Sequence, residues 1–160
     1  MHNVWPLQSK AHEYYSHTET SLVSLRFPYR VTYDGSPVTK YRAHARCATS
    51  LSRVLETIQA HYVALHGKSA AYDVMELDGV TIYDGSYCDR AMRGNPKLRS
   101  MHAYGCAIDF DAEHNLRGGH GRFQNSSIIV QAFKSESWIW GGDWHGASCD
   151  PMHFQAARVG

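Results

Sequence analysis

Apolar residues recur at helical spacing through Cys47, Leu51, Val54, Leu55, Ile58, Tyr62 and Leu65, with Ser52, Arg53, Glu56 and Gln59 on the other faces. This pattern predicts the longest helix of the chain, with its stripe turned to the core and Gly67 as its stop. From Tyr72 to Tyr87 the apolar positions Val74, Met75, Leu77, Val80, Ile82 and Tyr83 are broken by Asp78-Gly79 and Asp84-Gly85, which predicts short strands joined by turns. Asn115 to Gln124, with Gly118-Gly119-His120-Gly121, reads as a flexible loop, and Ser126 to Phe133 as a short helix. A helix followed by strands and a shorter helix predicts an α+β domain with an antiparallel central sheet and flanking helices.

The residues before about Arg42 are less regular and include a polar stretch from His12 to Thr20, yet no Pro/Gly/Ser linker or charge block sets them apart. They are expected to form an arm and a first strand packed on a single domain covering residues 1–160, with no separate wall-binding or other module. The 160 residues, 43% of them hydrophobic, suffice for a core without disulfide staples.

A formal charge of +1 argues against a nucleic-acid binder, which needs a concentrated basic face. Cys47, Cys88, Cys106 and Cys149 lack the close pairing of a structural zinc site and are expected as buried free thiols. Met1 to Lys10 shows no basic segment followed by an apolar run, so no secretory leader is expected, and no stretch is apolar enough to span a membrane. A monomer is expected.

Two segments carry chemistry: Ser100-Met-His102-Ala-Tyr-Gly105-Cys-Ala107-Ile-Asp109 and Asp150-Pro-Met-His153-Phe154. His102, Asp109 and His153 supply the two imidazoles and one carboxylate that a catalytic zinc ion takes while keeping a position open for water. Such a set leaves enough charge on the ion to polarise a carbonyl and to bring the pKa of bound water toward about 7. If Ala107 to Phe110 form a strand, Asp109 and Ala107 share one face, and Cys106, Ile108 and Phe110 the other. Gly105 fits a turn where a side chain would obstruct the backbone. A second strand, Met152 to Gln155, would turn His153 to the site and Met152 and Phe154 to the core, with Asp150 close enough to address the same water. His145 is a rival ligand, set aside because a fourth protein ligand would close the water position. His61, His66, His114 and His120 are expected at the surface, and Trp138, Trp140 and Trp144 as core or groove wall.

These segments resemble the zinc D-Ala-D-Ala carboxypeptidases and the related L-alanyl-D-glutamate endopeptidases of phage endolysins, whose pattern is Ser-x-His-x-x-Gly-x-Ala-x-Asp followed by an acidic residue, two residues and His. The resemblance runs from roughly Trp5 through Phe154 and includes Trp140-Gly-Gly-Asp-Trp144. It implies the fold shared by Hedgehog and the zinc D,D-peptidases, one catalytic Zn2+ held by His102, Asp109 and His153, and Asp150 as general base and acid. Tyr87 to Gly94 is similar to the family segment whose arginine contacts substrate or the developing oxyanion, a role that maps to Arg90. Arg93, Ser100, Trp144 and His145 are expected as further substrate contacts. The chain departs from the pattern at Gln155, where many relatives carry Glu, and Asp150 in place of Glu tilts the expectation toward the endopeptidase branch. The implied partner is the peptidoglycan stem peptide, and the implied setting is synthesis in the cytoplasm followed by release or delivery to the cell wall. The competing readings are a D-alanyl-D-alanine carboxypeptidase and a non-catalytic peptidoglycan-binding module.

Overall fold

A computed structural model describes residues 3–160. Met1 and His2, where the segment read for a leader begins, lie outside the described residues. Short turns of helix, Gln8–Lys10, α1 (Ala11–Tyr14) and α2 (Thr18–Ser21), lead into β1 (Leu22–Tyr33) and β2 (Ser36–His44). Next come α3 (Ala45–His66), α4 (Lys68–Asp78), β3 (Ala91–Met92), β4 (Asn95–Arg99), β5 (Ala107–Asp109), α5 (Ile128–Ser135), β6 (Ile139–Trp140) and β7 (His153–Gln155).

The N-terminal region thus holds two strands where one was expected. Asp34 and Gly35 both take positive φ, 50° and 80°, so the chain reverses in two residues and β1 pairs antiparallel with β2, Tyr33 opposite Ser36. Pro28, which has no N–H to give a ladder, falls within the break in register between Arg26 and Val31. Alternate residues Phe27, Tyr29 and Val31 of β1 are buried with Tyr41 and Ala43 of β2, and the hairpin packs on α3.

The long helix forms as its stripe predicts: Cys47, Leu51, Val54, Leu55, Ile58 and Tyr62 are buried, and Gly67 ends it at φ 78°. Leu65 is the exception, lying exposed. The strands expected over Tyr72–Tyr87 give way to a helix. Ala71 and Met75, four residues apart, bury one face of α4 against α3, and the Tyr62 hydroxyl donates to Asp78 at 2.6 Å. Asp78-Gly79 is the end of that helix, not a hairpin turn. Gly79 takes φ 81°, and a Cβ there would lie 2.1 Å from the Asp111 carboxylate. Only single bridges, Thr32 to Ile82 and Tyr83 to Phe110, survive of the expected strands.

In place of one central sheet there are two hairpins, β1-β2 and β3-β4, and an antiparallel sheet in the order β5-β7-β6. Phe154 of β7 stacks on Phe133 of α5 at 4.1 Å, which joins that sheet to the core built on α3. The core is one cluster running from Trp5 to Ala157. Glu136, just past α5, ties three parts of the chain together: its carboxylate accepts from Asn3, Ser50 and Arg53 at 2.8 to 3.0 Å. The segment expected to be a flexible loop, Asn115 to Gln124, is anchored. Buried Asn115 accepts from the Phe123 amide at 2.8 Å, and the Gly118 amide donates to the Cys149 carbonyl at 2.6 Å. No helix among the described residues is long and apolar enough to cross a membrane.

Cys47, Cys106 and Cys149 are buried free thiols, while Cys88 is exposed, contrary to expectation. The Cys88 backbone is held against the site, its amide donating to the His102 carbonyl at 3.1 Å, while its thiol faces outward.

Candidate metal centre

Three local devices bring His102, Asp109 and His153 together. Ser100 caps a single helical turn, Met101–Tyr104, by accepting from the His102 amide at 3.2 Å. Gly105 closes that turn at φ 69°, where a Cβ would meet the His44 backbone nitrogen at 2.9 Å, so the expectation of a backbone approach at Gly105 holds. β5 then starts directly, and its antiparallel register sets Asp109 opposite His153 of β7. Ile108 and Phe154 point to the core, and Met152, expected there, is only half-buried.

The ligand-type atoms of the three residues lie within 4.8 Å of one another. His102 Nε2 is 3.2 Å from one Asp109 oxygen and His153 Nδ1 is 3.0 Å from the other. The outer nitrogens decide the protonation. His102 Nδ1 lies 2.7 Å from the Ser86 carbonyl, which can only accept, so Nδ1 carries the hydrogen. His153 Nε2 lies 2.9 Å from Gln155 Oε1. The Gln155 amide nitrogen donates to the Ala157 carbonyl at 3.0 Å and to Gln8 Oε1 at 3.1 Å, which fixes Oε1 as the atom facing His153. Each neutral imidazole therefore turns its bare nitrogen toward a carboxylate. Three electron-rich groups converge in a buried place where only a positive charge can reconcile them: a proton on an imidazole, or a metal ion.

The electrostatics reflect that demand. Burial pushes the Asp109 carboxyl up, but attraction to His102 and the close approach of His153, either of which can take up the balancing positive charge, hold it well below the usual carboxylate range. Burial works to lower His153, yet the bond to Asp109, the charges of Asp109 and Asp150, and the bond to Gln155 leave it raised. His102 Nε2, buried, has no well-formed hydrogen bond. The donor set, its geometry and the two oriented outer nitrogens fit a divalent cation of the zinc type.

Asp150 stands beside this group. Its backbone is gripped by the aromatic-glycine segment: the Asp150 amide donates to the Gly141 carbonyl at 2.9 Å, and a Cβ on Gly141 would lie 2.3 Å from the Asp150 carbonyl oxygen. Trp140 Nε1 donates to the Pro151 carbonyl at 2.8 Å. The His153 amide returns to the Asp150 carbonyl at 3.0 Å, so base candidate and candidate ligand share one tight turn. Asp150 Oδ1 is buried without a partner, and burial raises its carboxyl above the ordinary value despite the attraction of His153.

A cleft of about 470 Å³ opens over these residues, lined by Asp150, His153, Arg90, Arg93, Trp144 and His145 among others. Ser100 also reaches it, although its hydroxyl serves the cap. Trp144 covers the His153 ring at 5.6 Å, whereas Trp138 and Trp140 are buried in the core. His145 is exposed on the cleft wall and does not belong to the three-residue group. Arg90 forms no salt bridge among the described residues, the nearby acidic groups being taken: Asp89 binds Arg99 at 2.6 Å and Asp111 binds Arg122 at 3.0 Å.

Sequence reasoning missed Ser86, Gln8 and Arg117. Ser86 acts through its backbone carbonyl and leaves no signal in residue type. Gln8 lies 147 positions from its partner Gln155. Arg117 sat unmarked in the presumed loop.

Residues 93–156 match the family model described as D-alanyl-D-alanine carboxypeptidase, a span that includes His102, Asp109, Asp150 and His153 and stops short of Arg90. The match supports a peptidase acting on peptidoglycan as the class of protein. No curated protein and no solved structure matches the chain.

Proposed function

We propose that the protein is a zinc-dependent peptidoglycan peptidase of the endolysin type, with the fold shared by Hedgehog and the zinc D,D-peptidases, acting as a monomer through one peptidase domain. The single observation that carries this reading is the convergence of two bare imidazole nitrogens on the Asp109 carboxylate beside an unpartnered Asp150.

His102, Asp109 and His153 would hold the ion, which when bound supplies Lewis acidity toward a water molecule and the scissile carbonyl. Asp150 takes a proton from the attacking water as its oxygen bonds to the carbonyl carbon. It then passes that proton to the amine nitrogen as the C–N bond breaks. A raised carboxyl suits both steps, since it is a stronger proton acceptor than an exposed aspartate and can still return the proton to the leaving amine. Arg90, on the cleft wall, offsets charge on the oxyanion, while Arg93, Ser100, Trp144 and His145 contact the peptide.

The preferred bond is L-alanyl-D-glutamate, supported by aspartate rather than glutamate at position 150. The family description of the matched segment favours the alternative, D-alanyl-D-alanine. The protein is expected to reach the wall by release or delivery after synthesis. Mass spectrometry of fragments from defined peptidoglycan, digested with and without chelator, tests the proposal. Chelator-sensitive release of L-alanine carboxyl ends identifies the endopeptidase, and loss of terminal D-alanine the carboxypeptidase. Bound zinc without cleavage identifies a binding module.

A further inference from the structure

The cleft carries more positive charge than its acidic residues balance. Arg90, Arg93 and Arg117 line it, and none forms a salt bridge among the described residues. Of the two carboxylates on the same wall, Asp143 is already neutralised by Lys134 at 2.9 Å, which leaves only Asp150. Arg90 and Arg93 precede the metal-binding turn, whereas Arg117 arrives on a separate segment from the side of Asp150.

That segment is pinned at both ends of Arg117. Asn115 is fully buried, its side chain donating to the Asp111 carbonyl at 2.9 Å and accepting from Phe123. One residue beyond Arg117, the Gly118 amide donates to the Cys149 carbonyl at 2.6 Å, and the Cys149 thiol donates to the Gly119 carbonyl at 3.4 Å. The backbone bearing Arg117 is therefore stitched to the residue just before Asp150. A guanidinium placed on so fixed a stem loses less freedom on binding than one on a mobile loop. Its side chain is exposed, lines the cleft and forms no salt bridge among the described residues, and its charge acts on Asp150, whose carboxyl it draws down against the effect of burial.

The chemistry of the substrate supplies a partner. Both candidate bonds release an amine whose own α-carbon bears a carboxylate: the terminal D-alanine in one case, and in the other a D-glutamate joined onward through its γ-carboxyl. Asp150 delivers its proton to that amine, so the carboxylate one carbon away must lie on the Asp150 side of the cleft. Resting on the peptidase reading above, we propose that Arg117 forms a carboxylate subsite there, selecting stem peptides whose residue after the scissile bond keeps a free α-carboxylate. The planar guanidinium matches a carboxylate through two parallel N–H bonds and finds no equivalent in an amide. Walls in which that position is amidated are poor substrates.

The test uses zinc-loaded protein and two dipeptide probes, γ-D-glutamyl-L-lysine and its α-amidated counterpart, with binding followed by NMR titration. The parent binds the acid about tenfold more tightly than the amide or better, as a charge-assisted hydrogen bond allows. Arg117→Ala reduces the preference to within about twofold, and Arg117→Lys keeps part of it. Hydrolysis of the matching acid and amide substrates is measured beside this. A parent that binds both probes alike, or Arg117→Ala with the preference intact, overturns the subsite even if both substrates are cleaved. Selective binding of the acid by a parent that cleaves nothing supports the subsite and overturns the peptidase reading. Since Arg117 is exposed, the variants are expected to fold, and their circular dichroism spectra check it.

Discussion

Asp109 and Asp111 lie two residues apart at the end of one strand, and they are held in opposite ways. Asp111 is fully buried and satisfied: it accepts from His114 at 2.7 Å and from Arg122 at 3.0 Å, and its neighbourhood is so full that Gly79 cannot become any other residue. Asp109 faces two histidines whose hydrogens are committed elsewhere, to Ser86 and Gln155. A permanently charged guanidinium completes the first carboxylate. The second is complete only when a positive charge joins it, as a proton on an imidazole or, on the proposed reading, as a metal ion. Burial and close contacts with basic side chains are common to both, so neither feature distinguishes a structural ion pair from a metal site. What distinguishes them is where the hydrogens on the partners point.

The comparison can be broken in several ways. The largest effect is expected from Asp109→Ala, which loses stoichiometric zinc by atomic absorption and all detectable peptidase activity. Asp111→Ala keeps its zinc. A zinc-replete Asp109→Ala protein would place the ion elsewhere. Next, Asp150→Ala retains zinc and loses activity by about 10²- to 10⁴-fold, the contribution of a positioned proton carrier. Activity equal to the parent removes Asp150 from the chemistry.

Asp111→Ala, for its part, removes the buried half of a pair whose Arg122 is partly exposed, and costs about 2 kcal/mol in denaturant unfolding, less than a pair buried on both sides. A loss below about 1 kcal/mol would reduce Asp111 to a surface-type pair. Gln155→Leu frees the outer nitrogen of His153 and weakens zinc affinity by about 10- to 100-fold in a chelator competition, without unfolding the protein. Gln155→Glu, which can still accept from His153, retains more of that affinity. Identical zinc affinity in all three proteins would show that the hydrogen bond does not orient the ring.

The smallest effect is one of pH. Burial raises the Asp150 carboxyl, so its proton-accepting form is lost at a higher pH than for an ordinary aspartate as the solution is acidified. The acid limb of kcat/KM is therefore expected above the ordinary aspartate value of about 3.9. A limb at or below that value contradicts the burial of Asp150.

Much of the site was legible because its spacing is local. His102, Gly105, Ala107 and Asp109 fall within one turn and one short strand, and Asp150 and His153 within another turn, so residue type and alternation sufficed to pick them out. Their mutual approach is tertiary, resting on the antiparallel register of β5 with β7. Elsewhere the pattern misled. Val74, Met75 and Leu77 looked like strand residues, yet Leu77 is exposed and the face of α4 is set by Ala71 and Met75 against α3, a choice made by the neighbouring helix. The Asp34-Gly35 turn was a signal available in the sequence for the second strand of the N-terminal hairpin and went unused.

By itself the sequence determined the donor set, the acid beside it and the long helix, because each depends on residues a few positions apart whose geometry the backbone imposes. Only the tertiary structure decided which nitrogen of each histidine is bare, since that rests on a carbonyl at Ser86 and on a glutamine held from Gln8 at the other end of the chain. It also decided that a glycine-rich segment would be stitched beside Asp150 and present Arg117 to the cleft, because backbone hydrogen bonds between distant segments leave no mark in residue type.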